Sequence, residues 1–235
     1  MKELLNGALA ICCYLIPLAS IMLISRKLFR IPDELFRKIL HFILLGAYIP
    51  FLFAFETWYI SALFALLLIF VIYPILYFVG KIPSFSSFVN ERKKGEFKSS
   101  MVLALSVMVL TISVCWGCFN DKYLVLASVY AWGVGDGFAA LIGKPFGKHK
   151  ITWKYADSHK SVEGSCAMFL TSMISVFVVL IIRNGIDSMS CLMISIASAF
   201  ACTFVELCTK SGLDTITCPT VAMVIILPLV QILGG

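Results

Sequence analysis

The side chains best suited to chemistry are concentrated between residues 133 and 164, GVGDGFAALIGKPFGKHKITWKYADSHKSVEG. Asp136 stands in an otherwise apolar segment, where an ionisable group is costly and is by default a functional candidate. Lys160 and Glu163 are three residues apart, which predicts that they share one face at the start of the next helix. Gly164 follows directly, and its missing side chain allows another group to approach the backbone.

These residue types together suit the transfer of a phosphoryl group. Lysines and the free N–H groups of a helix N-terminus hold phosphates, while carboxylates place Mg²⁺ or accept a proton. Such a transfer depends mostly on positioning and on the neutralisation of charge. Lys144, Lys148 and Lys150 supply further positive charge in the same stretch. The alternative interpretation is a cluster that binds lipid headgroups or forms structural ion pairs.

Small residues recur at a spacing of four in this stretch, at Gly135, Ala139 and Gly143. This spacing lets two helix backbones approach closely in lipid, so packing explains the glycines. Packing does not explain the carboxylate of Asp136.

Two other segments add polar groups to apolar surroundings. Arg37 and His41 in the run RKILH are four residues apart and should share a helix face, with Lys38 beside them. Next to two cations a protonated imidazole is disfavoured, so His41 is suited to accept a proton. Near the end of the chain, Glu206 lies in an apolar block, and the run GLDTITCP predicts a loop that carries Asp214.

The composition is that of a membrane protein. Of the 235 residues, 60% are hydrophobic and 14% are charged, whereas soluble domains carry about 25% charged residues. Apolar blocks of membrane-spanning length predict about eight transmembrane helices, near residues 4–24, 38–55, 57–79, 100–119, 122–142, 161–182, 188–209 and 219–234. We therefore predict an all-α polytopic helical bundle that forms one integral membrane domain over residues 1–235.

The basic residues predict the orientation of this bundle. Runs of five Lys and Arg residues follow the first, third and fifth blocks, and Lys210 follows the seventh. The other side has only Lys2, Lys122 and Arg183. The positive-inside rule then places both termini outside and the polar motifs on the cytoplasmic side. The net charge of +6 is explained by orientation and by contact with membrane lipids, and indicates no nucleic-acid partner.

The motifs resemble those of a known family. The run GDGFAALIGKPFGKHK, followed by KSVEG, is similar to the central motif of the CTP-dependent lipid kinases, which include dolichol, phytol and farnesol kinases and the CTP-using diacylglycerol kinase of yeast. The early RKILH…G and the late E…GLDT…P resemble the flanking motifs, so the likeness runs from about Arg37 to Pro219. The family commonly has Asn after the late Asp, whereas Thr215 stands here.

The resemblance implies a membrane kinase that transfers the γ-phosphate of CTP to the hydroxyl group of a lipid alcohol, with Mg²⁺ or another divalent cation. The lipid alcohol is an isoprenoid alcohol such as dolichol, phytol or farnesol, or a diacylglycerol. Catalytic roles are predicted for Asp136, Glu163 and His41, and metal binding for Asp136, Glu163 and Asp214. Nucleotide binding is predicted for Gly143, Gly147, Lys148, Lys150, Lys160, Gly164, Arg37 and Lys38, while Glu206, Gly212 and Pro219 complete the late motif.

Two other functions are compatible with the same residues. A cytidylyltransferase would join CTP to a lipid phosphate and release pyrophosphate, using the same nucleotide and similar carboxylates. A transporter is the alternative from another class, although the ionisable groups are predicted at one membrane edge and no inverted pair of broken helices is evident. For the kinase we expect a cytoplasmic active site, in the cytoplasmic membrane of a prokaryote or the endoplasmic reticulum membrane of a eukaryote.

Overall fold

The computed structural model describes residues 2–29, 31–81, 95–152, 160–209 and 212–234, and these ranges are almost entirely helical. The helices are α1 (Lys2–Leu28), α2 (Asp33–Gly46), α3 (Tyr48–Ala54), α4 (Trp58–Val79), α5 (Glu96–Thr111), α6 (Lys122–Phe146), α7 (Val162–Arg183), α8 (Ser188–Cys208) and α9 (Asp214–Gly234). A π-helical segment, Ile112–Cys118, continues α5.

Eight helical segments of the described chain are long and apolar enough to cross a membrane, so the predicted all-α polytopic fold is confirmed and the chain is a multi-pass membrane protein. The second segment, Asp33–Ala54, consists of α2 and α3. Among the basic residues used to predict the orientation, Arg30, Arg92, Lys93, Lys94, Lys154 and Lys210 lie outside the described ranges.

The last helix begins earlier than the sequence predicts, at Asp214 instead of near residue 219. The predicted loop GLDTITCP is therefore largely helical. Polar side chains bond within the helix here, since the Thr217 hydroxyl donates to the Leu213 carbonyl at 3.1 Å and that of Thr220 to the Ile216 carbonyl at 2.7 Å. Hydroxyl groups satisfied in this way let a polar first turn join an apolar span.

The helices group into two compact units, Met1–Ser113 and Val114–Gly235. In the first unit, α1 packs against α2, α3 and α4, and α4 packs against α5. Its core includes the rings of Phe51, Phe55 and Phe64, whose centroids lie 5.2–6.0 Å apart. The Phe55 ring fills the space beside Gly7, where no larger residue fits.

In the second unit, α6 packs against α7 and α9, and α8 packs against α7 and α9. The Ser172 hydroxyl of α7 donates a hydrogen bond to the Ala131 carbonyl of α6 at 2.5 Å. A Cβ atom on Gly135 would lie 2.9 Å from the Met168 side chain, so this position requires glycine. The predicted close approach of helices at small residues is thus confirmed.

A hydrogen-bonded ion pair closes one end of the α6–α7 pair. Asp121 caps α6, because its Oδ1 accepts hydrogen bonds from the Tyr123 amide at 2.8 Å and the Leu124 amide at 3.3 Å. Its Oδ2 accepts a hydrogen bond from Arg183 Nε, at the C-terminal end of α7, at 2.5 Å. One carboxylate therefore stabilises the start of α6 and ties it to the end of α7.

Replacing Asp121 by Ala should lower the free energy of unfolding by about 2–3 kcal/mol, because both the helix cap and the charged hydrogen bond are lost. Asp121→Asn retains a capping oxygen and should recover about 1 kcal/mol of this loss. Thermal unfolding in detergent micelles measures both values. An equal loss of stability in the two variants would show that the Asn side chain at position 121 does not stabilise α6 as a cap.

Candidate functional site

The C-terminal end of α6 and the N-terminal end of α7 meet through a buried serine. Ser161 caps α7, since its Oγ accepts a hydrogen bond from the Gly164 amide at 3.2 Å. The same hydroxyl donates to the Gly143 carbonyl of α6 at 3.4 Å. Ser161 was not among the predicted site residues, although it directly precedes the apolar block as N-caps commonly do.

Two short segments lie side by side before α7. The Ile151 amide donates to the Lys160 carbonyl at 3.1 Å, and the Val162 amide donates to the His149 carbonyl at 3.0 Å. These bonds form an isolated antiparallel bridge that brings the basic turn, residues 148–150, beside the start of α7. The described backbone on either side of residues 153–159 is thereby fixed.

The three glycines predicted to bind nucleotide make close contacts within the protein. A Cβ atom on Gly143 would lie 3.1 Å from the Gly164 Cα, and one on Gly164 would lie 3.1 Å from the Ala139 carbonyl oxygen. A Cβ atom on Gly147 would overlap the Gly143 carbonyl oxygen and the Ser161 hydroxyl. Because these glycines have no side chain, the backbones of α6, α7 and the basic turn can pack in direct contact.

Replacing Gly164 by Ala should therefore lower the free energy of unfolding by about 1–3 kcal/mol, because the methyl group forces two helix backbones apart. Thermal unfolding in detergent measures the change. The matched control is Ser165→Ala, which loses only the 3.1 Å hydrogen bond from the Ser165 hydroxyl to the Ser161 carbonyl. This variant should change the free energy of unfolding by less than about 0.5 kcal/mol. Similar melting temperatures for the two variants would contradict the close backbone contact.

Lys160 is bound to the end of α8. Its Nζ lies 3.0 Å from Glu206 Oε1, and the two side chains are only 15% and 12% exposed. It also donates to the Glu206 carbonyl and, at 3.3 Å, to the Thr209 carbonyl. A cation at the C-terminal end of a helix is favoured by the helix dipole. The prediction that Lys160 and Glu163 share a helix face is wrong, because Lys160 precedes α7 in an extended segment.

Two further carboxylates interact electrostatically with this ion pair. Glu206 interacts with Asp136 of α6 and with Asp214 of α9, and Asp214 also interacts with Asp136 and Lys160. We call Asp136, Lys160, Glu206 and Asp214 the charge cluster; all four residues are half-buried. Among the described residues, α6, the segment before α7, the end of α8 and the start of α9 thus bring together three carboxylates and one ammonium group, an excess of negative charge.

Asp214 is also fixed by its own backbone surroundings. Its Oδ1 accepts hydrogen bonds from the Thr215 amide at 2.9 Å and the Gly212 amide at 3.1 Å. Gly212 has a φ angle of +101°, a conformation that favours glycine, so this late-motif residue shapes the turn before α9. Pro219 is buried within α9.

Glu163 holds the basic turn in place. Its Oε1 accepts hydrogen bonds from the Lys148 and His149 amides, both at 3.2 Å, and lies 2.7 Å from His149 Nδ1. The Glu163 side chain is 27% exposed and that of His149 is 80% exposed. His149 was missed in the sequence, because only the pairing of the two segments shows that residue 149 lies opposite the start of α7.

The predicted metal ligands Asp136, Glu163 and Asp214 do not converge into one ligand set. Among the residues that the structure describes, no group of three His, Cys, Asp or Glu side chains is arranged to hold a metal ion. Asp136 and Asp214 belong to the charge cluster, whereas the contacts of Glu163 are with the basic turn. Any metal bound here would need further ligands from its substrate or from water.

The residues predicted from RKILH lie on α2 in the first unit. Arg37 forms an ion pair with Glu34 at 2.7 Å, and Lys38 is buried, with 6% of its surface exposed. The His41 ring contacts that of Phe42 edge to face, with centroids 5.9 Å apart. Their roles in nucleotide binding and proton transfer remain predictions.

No protein-family model, curated protein or solved structure matches this chain. The second unit offers carboxylates that can attract a cation, beside a turn whose Lys148 and Lys150 are exposed to solvent. Such a site suits an anionic substrate that carries a divalent cation. The carboxylates can bind the cation, and the lysines can bind the anion.

Proposed function

We propose that this protein is a CTP-dependent kinase that transfers the γ-phosphate of CTP to the hydroxyl group of a membrane lipid alcohol. The observation that carries the proposal is the charge cluster of Asp136, Lys160, Glu206 and Asp214 beside the basic turn. The acceptor is an isoprenoid alcohol or a diacylglycerol, whose hydroxyl lies at headgroup depth. The nucleotide approaches from the cytoplasm.

The basic turn is the proposed phosphate-binding element. Lys148 and Lys150 are exposed and carry the positive charge that a polyphosphate requires. Glu163 would position this turn through its hydrogen bonds to residues 148 and 149, so its role is to hold the lysines. This role differs from the catalytic and metal-binding roles that the sequence predicts for Glu163.

Asp136 and Asp214 are the residues that would hold Mg²⁺. In enzymes that act on nucleotides Mg²⁺ is commonly held by one or two carboxylates together with phosphate oxygens and water, so two protein ligands fit this chemistry. Bound Mg²⁺ would neutralise charge on the phosphates. Glu206 and Lys160 would keep the ends of α7 and α8 in place around these carboxylates.

The reaction forms one P–O bond and breaks another. The oxygen of the lipid hydroxyl attacks the γ-phosphorus, and the bond from this phosphorus to the oxygen of the β-phosphate breaks, which releases CDP. The hydroxyl proton passes to a carboxylate, for which we propose Asp136.

Purified protein with CTP labelled on either the α- or the γ-phosphate tests the proposal. With a panel of dolichol, phytol, farnesol, geranylgeraniol and diacylglycerol, we expect thin-layer chromatography to show γ-label on one lipid and release of CDP. With a lipid phosphate such as phosphatidic acid as the acceptor, transfer of the α-label with release of pyrophosphate would instead identify a cytidylyltransferase. No transfer to any acceptor, together with solute flux in liposomes, would identify a transporter.

A further inference from the structure

Two lysines of the first unit converge on one tyrosine ring. Lys81 Nζ lies 4.4 Å from the centroid of Tyr77, and Lys98 Nζ lies 5.4 Å from the same centroid. Lys98 also lies 4.9 Å from the centroid of Tyr73. The two ammonium groups are thus at most about 10 Å apart, a separation at which like charges repel. We call Tyr73, Tyr77, Lys81 and Lys98 the lysine–tyrosine cluster.

The positive charge of this cluster is not neutralised within the described part of the chain. A ring face attracts an ammonium group but leaves its net charge unchanged. The ion pairs seen between described side chains involve neither Lys81 nor Lys98. Among the described side chains, two positive charges are thus held close together by aromatic rings, an arrangement that attracts an anion.

The position of the cluster indicates where that anion comes from. Tyr73 and Tyr77 lie in the last two turns of α4, Lys81 follows its end, and Lys98 lies in the first turn of α5. The two tyrosines are 47% and 46% exposed. Both helices belong to candidate membrane spans, and tyrosines and lysines at the ends of spans lie at the level of the lipid headgroups.

We propose that the lysine–tyrosine cluster binds the phosphate of an anionic membrane lipid. The two ammonium groups and the phenol hydroxyls are hydrogen-bond donors, and a phosphate offers several acceptor oxygens to them. The phosphate of a lipid is already held at the level of the headgroups, whereas free phosphate must be moved there from water. The lysine–tyrosine cluster shares no residue with the charge cluster, and its proposed lipid binding does not depend on the proposed kinase activity.

Removing single lysines distinguishes general attraction to the membrane from binding at a specific site. Lys27, at the end of α1, is also an exposed lysine on the predicted cytoplasmic side, but no second ammonium group converges with it on one ring among the described residues. If the basic residues serve only to attract the membrane, Lys27 and Lys81 should contribute equally. If the cluster is a site, only Lys81 and Lys98 should matter for a bound lipid.

Native mass spectrometry of the full chain in detergent, titrated with phosphatidylglycerol, measures this difference. We expect Lys81→Gln and Lys98→Gln each to weaken binding about fivefold, and the double variant about 25-fold, from the usual contribution of a lysine near anionic lipid. Lys27→Gln should change the affinity for phosphatidylglycerol less than twofold. The double variant Lys81→Arg with Lys98→Arg keeps both positive charges and should retain most of the affinity. Thermal unfolding of each variant confirms that the fold is retained.

Two results would overturn the proposal. Equal weakening by Lys27→Gln and Lys81→Gln would indicate general charge attraction without a site. Displacement of phosphatidylglycerol by millimolar inorganic phosphate would indicate that the cluster binds free phosphate. Zwitterionic phosphatidylcholine serves as the reference lipid, and its binding should not respond to any of these substitutions.

Discussion

Replacing Asp136 by Asn should reduce the transfer of phosphate from CTP to a lipid alcohol by about a thousandfold or more, while the protein remains folded. The amide has nearly the size of the carboxylate, so the packing around the half-buried residue 136 of α6 is retained. It carries no charge to hold Mg²⁺ and is a poor proton acceptor, and the loss of such a group typically costs about 10²–10⁴ in rate. The labelled-CTP assay measures the rate.

The matched control for Asp136→Asn is Asp187→Asn. Asp187 lies between α7 and α8 and caps α8, where its Oδ2 accepts a hydrogen bond from the Ser190 amide at 2.9 Å. Hydrogen bonds from Ser190 lower the pKa of this exposed carboxyl. Asn is an equally good capping residue, so this variant should keep its stability and activity. Normal transfer by Asp136→Asn would remove Asp136 from the proposed site.

Replacing Lys160 by Met should lower the free energy of unfolding by about 3–5 kcal/mol. Glu206 is 12% exposed, and removal of its partner leaves a mostly buried carboxylate without its ion pair. The carbonyls of Glu206 and Thr209 also lose a donor. Thermal unfolding in detergent measures the loss, and Lys150→Met, at an exposed lysine of the basic turn, should change stability by less than about 0.5 kcal/mol.

A second substitution separates the structural role of Lys160 from the predicted nucleotide-binding role. In Lys160→Met with Glu206→Gln the buried charge is removed along with its partner, so most of the lost stability should return. Because the Lys160 ammonium is bound to α8, we expect phosphate transfer to recover along with stability. A double variant that is stable but inactive would show that Lys160 contacts the nucleotide as the sequence predicts.

The transmembrane architecture could be predicted from the sequence because each span is decided locally. About twenty apolar residues must form a helix in lipid, whatever the rest of the chain does. The predicted seventh span, residues 188–209, agrees closely with α8, Ser188–Cys208. The start of α9 was missed because threonines lower the hydropathy, although their hydroxyls are satisfied by the helix itself.

The candidate site depends on contacts between residues far apart in the sequence. The sequence therefore indicated which residues belong to it better than it indicated which of them contact each other. The glycine spacing indicated a close approach, and the structure places Gly143 against Gly164. Lys160 and Glu163 were expected to act together, but Glu163 binds His149 and Lys160 binds Glu206. Lys160 lies in an extended segment paired with Ile151, before the Ser161 cap of α7, so it does not share the helix face of Glu163.

By itself, then, the sequence determined that GVGDG lies within one span and KSVEG at the start of the next, and that Asp136 is a carboxylate in an apolar helix. Only the tertiary structure decided that Asp136, Lys160, Glu206 and Asp214 form one cluster and that Glu163 holds the basic turn. The physical reason is distance along the chain. Hydropathy and helix periodicity act over a few turns, whereas the ion pair of Lys160 with Glu206 depends on how α7 and α8 pack.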